Sequence, residues 1–113
     1  MLLAIIQPNK LQAVREALHQ IGVHRLTVVD AQGYGRQKGH AALYSGVEYQ
    51  IHLLRKVGLE IMVNDDFMEK TIETICRIAR TGTQGSIGDG KIFVLPAIEA
   101  ITIDDNTRGP SAV

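Results

Sequence analysis

The sequence predicts one α+β domain in which two helices pack on an antiparallel sheet. Apolar residues switch from a spacing of two to a spacing of three and four and back along the chain. A length of 113 residues with 45% apolar content suffices for one packed core and is too short for two.

Leu2 to Gln7 is a short apolar run closed by Pro8, which has no N–H to give to a ladder, so a strand ends there. Leu11, Val14, Leu18 and Ile21 then recur at helical steps, with Asn9 as the N-cap, Gln12 three residues on and Gly22 at the stop. Val23 to Ala31 is rich in Val, Leu and Thr and reads as a second strand ending before Gly33. In Val57 to Val63, Val57, Leu59, Ile61 and Val63 share one side and Gly58, Glu60 and Met62 the other, which makes a third strand. Asp66 with Glu69 is capping-box-like, and Met68, Ile72, Ile75, Cys76 and Ala79 form a second helical stripe ending near Gly82. Ile92 to Leu95 is a fourth strand stopped by Pro96, and Ala97 to Ile103 is a candidate edge strand before a polar tail from Asp104 to Val113.

Strand, helix, strand, strand, helix, strand is the split βαβ, or ferredoxin-like, order. Two helices cover only one face of such a sheet, and the other should be polar. Here Leu3 and Ile5 oppose Leu2, Ala4 and Ile6, and Phe93 and Leu95 oppose Ile92 and Val94. Both faces read as buried, which predicts a homo-oligomer formed through the sheets.

Lys plus Arg equals Asp plus Glu at 12 each, so no global field draws the chain to nucleic acid or to an anionic membrane. A single cysteine, Cys76, excludes an internal disulfide framework. The longest apolar runs fall far short of the roughly 18 residues of a membrane span, so a cytoplasmic protein without direct membrane insertion is expected.

Two loops carry the chemistry. Residues 34–52 separate the second and third strands without a sustained period, far beyond the two to five residues of a common hairpin connection. The second is the glycine cluster at Gly82, Gly85, Gly88 and Gly90, which runs into Lys91. Glycines let successive N–H groups face one anion, and the lysine adds charge, so phosphate is the natural ligand of this 82–90 loop. Gly85 to Lys91 fits the start of a P-loop, but Ile92 replaces the Ser or Thr that holds magnesium, and a strand follows. Gly33, Gly35 and Gly39 miss the dinucleotide-binding spacing by one residue.

Gly35-Arg36-Gln37-Lys38-Gly39-His40, Tyr44-Ser45-Gly46-Val47-Glu48-Tyr49 and Ile87-Gly88-Asp89-Gly90-Lys91-Ile92-Phe93-Val94, with Ala4-Ile5-Ile6 and Val14-Arg15-Glu16-Ala17-Leu18, resemble the PII signal-transduction proteins of nitrogen regulation from Leu3 to about Ile101. The resemblance implies a ferredoxin-like homotrimer with a cleft between each pair of subunits. Those clefts would bind ATP or ADP, and ATP together with Mg2+ and 2-oxoglutarate.

Carried over by position, it assigns nucleotide contacts to Thr27, Gly35, Arg36, Gln37, Glu60, Met62, Gly88, Asp89, Gly90 and Lys91, with Glu60 facing inward. It assigns 2-oxoglutarate to Gln37, Lys38, Gly39 and Lys56, the metal to Gln37, and nucleotidylation in some members to Tyr49. A bound metabolite that pins the loop base would select the loop conformation a partner meets. The partners implied are an ammonium channel or enzymes and regulators of nitrogen metabolism, with peripheral membrane association only through such a partner.

Departures from the family pattern are Val47 at a phosphorylated serine, His52 and Arg55 at the loop exit, and the extra residues of Thr83 to Ser86. Thr102 and Asp104, with Asp105 next, stand where two arginines usually cover the phosphates. These predict weak ATP-over-ADP discrimination and leave a divergent sensor of another ligand, or a slow ATPase, as alternatives. No catalytic residue is expected: Cys76 reads as core, His19 and His24 as separated from each other, and His40 with His52 as too weak a pair for a metal site.

Overall fold

In a computed structural model, the backbone is described for residues 1–36 and 51–113 and the side chains for residues 1–33 and 53–113. Six main elements follow in order: β1 Leu2–Ile6, α1 Leu11–Gln20, β2 Thr27–Arg36, β3 Ile51–Ile61, α2 Asp65–Ala79 and β4 Gly90–Val94. The strands form one antiparallel sheet in the order β2-β3-β1-β4. This is the ferredoxin-like arrangement that the sequence predicts.

Register fixes the two faces. Leu2, Ala4 and Ile6 pair with Ile61, Leu59 and Val57, and these six meet Val14 and Leu18 of α1 and Ile75 and Ala79 of α2 in one buried core. Side chains on one strand alternate between faces, so Leu3, Ile5, Gly58, Glu60, Val29 and Phe93 take the helix-free face. There Val29 and Phe93 are exposed and Leu3 and Ile5 half-buried. Gly58 leaves room for its neighbours: a Cβ at Gly58 would lie 2.7 Å from Val29 Cγ2.

Several boundaries differ from the sequence reading, for local reasons. β2 starts four residues later than Val23 and β3 starts at Ile51, because the two strands continue their ladder into the predicted 34–52 loop, pairing as far as Arg36 with Ile51. Asn9 does not cap α1; it lies in a 3-10 turn, Pro8–Lys10, that runs into the helix. α2 begins one residue before Asp66, with Asn64 as N-cap, and Asp65 and Asp66 place negative charge in the first turn. Ala97 to Ile103 forms no edge strand, only a single bridge between Ile101 and Arg108. Thr71 and Thr74 are buried on α2, their hydroxyls bonded back to Phe67 O and Lys70 O at 2.7 Å, whereas Cys76 is exposed and not core.

Candidate functional site

The site is built where β4 begins. Gly90 has φ +123, and an added Cβ would lie 1.8 Å from the Ile5 carbonyl oxygen, so only glycine lets this backbone enter its ladder with β1 at such close range. Just before it, the carboxylate of Asp89 organises the turn. Asp89 Oδ1 accepts from the Thr81 hydroxyl at 2.5 Å, and Oδ2 accepts from the N–H groups of Thr81 at 2.9 Å and Ser86 at 2.8 Å. The Thr81 hydroxyl first, then these N–H groups, hold the Asp89 carboxyl below the usual range, at about 2. These bonds reach across Thr83 to Ser86, so the extra residues close on Asp89 as a folded turn, with Gly85 N–H also bonded to Thr81 O at 3.0 Å.

The Gly88 carbonyl is the meeting point of three segments. It accepts from Lys56 Nζ at 2.6 Å and from Gln7 Nε2 at 2.8 Å. Lys56 stands on the stem of the long hairpin, opposite Ala31. The glycine turn and the stem of the loop are therefore physically joined. Gln7 is a participant that the sequence reading missed; its place at the end of β1, two strands from the turn in the chain but beside it in space, was the available signal.

The other assigned residues divide. Lys91 is exposed on β4, at one edge of the sheet. Thr27, on the opposite edge strand, pairs with Glu60 on the interior strand β3. Strand spacing puts Glu60 and Lys91 about 12 Å apart on the same face. Glu60 is exposed in this chain and does not face inward, because its neighbours Leu59 and Ile61 take the core side. Met62 is half-buried just beyond β3. Gly35 and Arg36 lie in β2, and Gln37, Lys38, Gly39 and Tyr49 lie outside the described residues.

The tail that carries the departures makes a turn of its own. Asp105 Oδ1 accepts from the Thr102 hydroxyl and from Thr107 N–H, both at 2.9 Å, and Thr107 followed by Thr102 brings its carboxyl down to about 2. Arg108 pairs with Glu99 at 2.6 Å. Asp105 is thus turned into its own loop, with the exposed Asp104 beside it. His19 and His24, read as separated, touch: their Nδ1 atoms lie 2.8 Å apart.

The family described as "Nitrogen regulatory protein P-II" matches residues 1–107. This chain belongs to the nitrogen regulatory P-II family. It is 50% identical over 110 residues to the nitrogen regulatory protein P-II of Rhodospirillum rubrum, covering 97% of this chain and 96% of the relative. It is 47% identical over 111 residues to GlnK1 of Methanosarcina mazei, covering 98% and 94%. Among solved structures, Bacillus subtilis GlnK superposes with a TM-score of 0.80 at 33% identity, covering 99% of this chain and 96% of that one. Arabidopsis thaliana PII bound to citrate gives 0.78 at 37%, covering 98% and 85%. The relatives are named as regulators, and among the described residues no helix is long and apolar enough to cross a membrane.

Proposed function

We propose that this P-II family chain is a non-enzymatic sensor that binds ATP or ADP, and ATP with Mg2+ and 2-oxoglutarate, and signals through residues 34–52 to an ammonium channel or to nitrogen-metabolism enzymes and regulators in the cytoplasm. One observation carries the reading: Lys56, on the stem of that loop, bonds the Gly88 carbonyl of the glycine turn. A ligand that competes for the Lys56 ammonium or reshapes the turn thereby acts on both.

The donor set fits an anionic ligand. Lys91 follows the Gly88–Gly90 turn directly, and Lys56 and Lys10 are close by, Lys10 bonding Arg80 O at 3.4 Å. Thr27 lies on the edge strand β2 and Lys91 on the opposite edge strand β4, with Glu60 on the interior strand β3, so the assigned residues are spread across the width of one sheet. Packing of copies through the helix-free face buries its Leu3, Ile5, Val29 and Phe93 and brings residues of different chains together, in keeping with clefts between the subunits of a homotrimer. Gln37 is the residue assigned to Mg2+, whose role would be to neutralise phosphate charge.

Calorimetry of the whole chain with ATP, ADP, and ATP plus Mg2+ plus 2-oxoglutarate tests the reading. Saturable binding of ATP and ADP is expected, with affinities within about tenfold of each other, because Asp104 stands where cations would favour the extra phosphate. Absence of binding by any adenine nucleotide overturns it. A thermal-shift response to a different nucleotide or anion would point to the second reading, a divergent sensor, which the acidic tail favours.

A further inference from the structure

The C-terminal end of α1 closes in a way that places two imidazoles side by side. Gly22, at φ +96, donates its N–H to His19 O at 3.1 Å, and Val23 N–H reaches back to Leu18 O at 2.9 Å. This pair of bonds is a Schellman closure, in which the chain reverses over the last helical turn. Val23 is then buried in the core with Leu18. With Leu18 and Val23 fixed, the next residue of each, His19 on the helix and His24 after the turn, must emerge together. Their Nδ1 atoms are 2.8 Å apart, their ring centroids 4.3 Å apart, and the ring planes are inclined at 62°. Both are exposed, on a groove of about 460 Å3 also lined by Gln12, Glu16 and Gln20, with Arg15 on its wall.

We propose that His19 and His24 form a chelating site for a divalent late transition-metal ion of the Cu2+ or Ni2+ class. Two neutral imidazole nitrogens are good ligands for such ions. The two nitrogens now share one proton at 2.8 Å, which an incoming ion must displace, and among first-row divalent ions Ni2+ and above all Cu2+ bind nitrogen sites most tightly. Rotation of the exposed rings about χ2, a soft torsion, aims both lone pairs at one ion. Among the described residues no third His, Cys, Asp or Glu completes a cluster, so water fills the remaining positions. Glu16, one turn before His19 on α1, offsets part of the ion's charge, and Arg15 opposes it. The Schellman closure holds the backbones of His19 and His24 close before any ion arrives, which lowers the ordering cost of chelation.

Titration of the full chain with Ni2+ alone, and Cu2+ electron spin-echo spectroscopy to count bound imidazoles, test the proposal. One ion per chain with two imidazole nitrogens is expected. His19→Ala and His24→Ala should each weaken Ni2+ binding at least about tenfold, as a chelate reduced to one ligand does. Both positions are exposed, and unchanged circular dichroism would show that each variant folds. A double His40→Ala, His52→Ala variant should bind as the parent does. Equal Ni2+ affinity in the parent and both single variants, a one-imidazole spectrum, or binding lost only in the His40, His52 double variant would each overturn it, leaving a plain hydrogen bond between the rings.

Discussion

The turns at Thr81–Gly90 and Thr102–Thr107 are built on the same local plan and have different consequences. Each is organised by an aspartate, half-buried Asp89 or exposed Asp105, that gathers threonine hydroxyl and backbone N–H donors, and each aspartate is brought to about 2. In the first, the next glycine enters its ladder with β1 at close range and the preceding carbonyl holds Lys56 and Gln7. In the second, the Asp105 bonds stay within five residues, and Arg108–Glu99 is the ion pair nearby. A turn becomes part of a site when distant segments converge on it; its own hydrogen bonds only give it shape.

The largest test of this contrast is Gly90→Ala. The required shift of Ile5 or of the β4 backbone should destabilise the fold by about 3 kcal/mol or more, read from the denaturation midpoint. A change under about 1 kcal/mol would mean that the approach is looser than the contrast requires. Next, Asp89→Asn keeps the volume and removes the charge and one acceptor. It should weaken ATP binding about tenfold in calorimetry, since the turn that offers Gly88 and Gly90 loses its tie across Thr81 and Ser86.

Gln7→Leu removes one of the two donors to Gly88 O and should cost about 1 kcal/mol, with the Lys56 bond retained. An effect on 2-oxoglutarate binding larger than on stability would instead place Gln7 in the ligand site. Smallest of all, Asp105→Asn should speed hydrogen exchange at the Thr107 amide without changing it at Ser86. The acid response separates the turns further. A carboxyl whose folded pKa of about 2 lies below its ordinary value of 3.8 contributes stability that is complete above pH about 4 and is lost as pH falls through about 2. Stability should fall across that window in the parent, less in either aspartate variant, and least when both are replaced.

The local grammar of the chain was readable without coordinates. Apolar spacing, Pro8, Gly22 and Pro96 marked the strands and helices because periodicity and backbone restriction are properties of a short segment. The glycine cluster before Lys91 was readable as a turn for the same reason. Three things were not. The strand ladder ran further into the long loop than composition suggested, since pairing depends on the facing strand. Cys76 is exposed although its spacing puts it at the border of the apolar stripe along α2, where only packing settles exposure.

His19 and His24 were read as separate because five residues usually separate side chains, and the Schellman turn at Gly22 is what folds that distance away. By itself, then, the sequence determined the order of elements, the ferredoxin-like fold, the glycine turn and the membership that its motifs announced, all of which rest on local pattern. Tertiary structure alone decided that Gln7 and Lys56 meet on one carbonyl, that the extra residues at Thr83 to Ser86 close on Asp89, and that Glu60 and Lys91 lie on opposite sides of one sheet face. Those are distances between residues far apart in the chain. They follow from strand register and helix packing, which no single segment encodes.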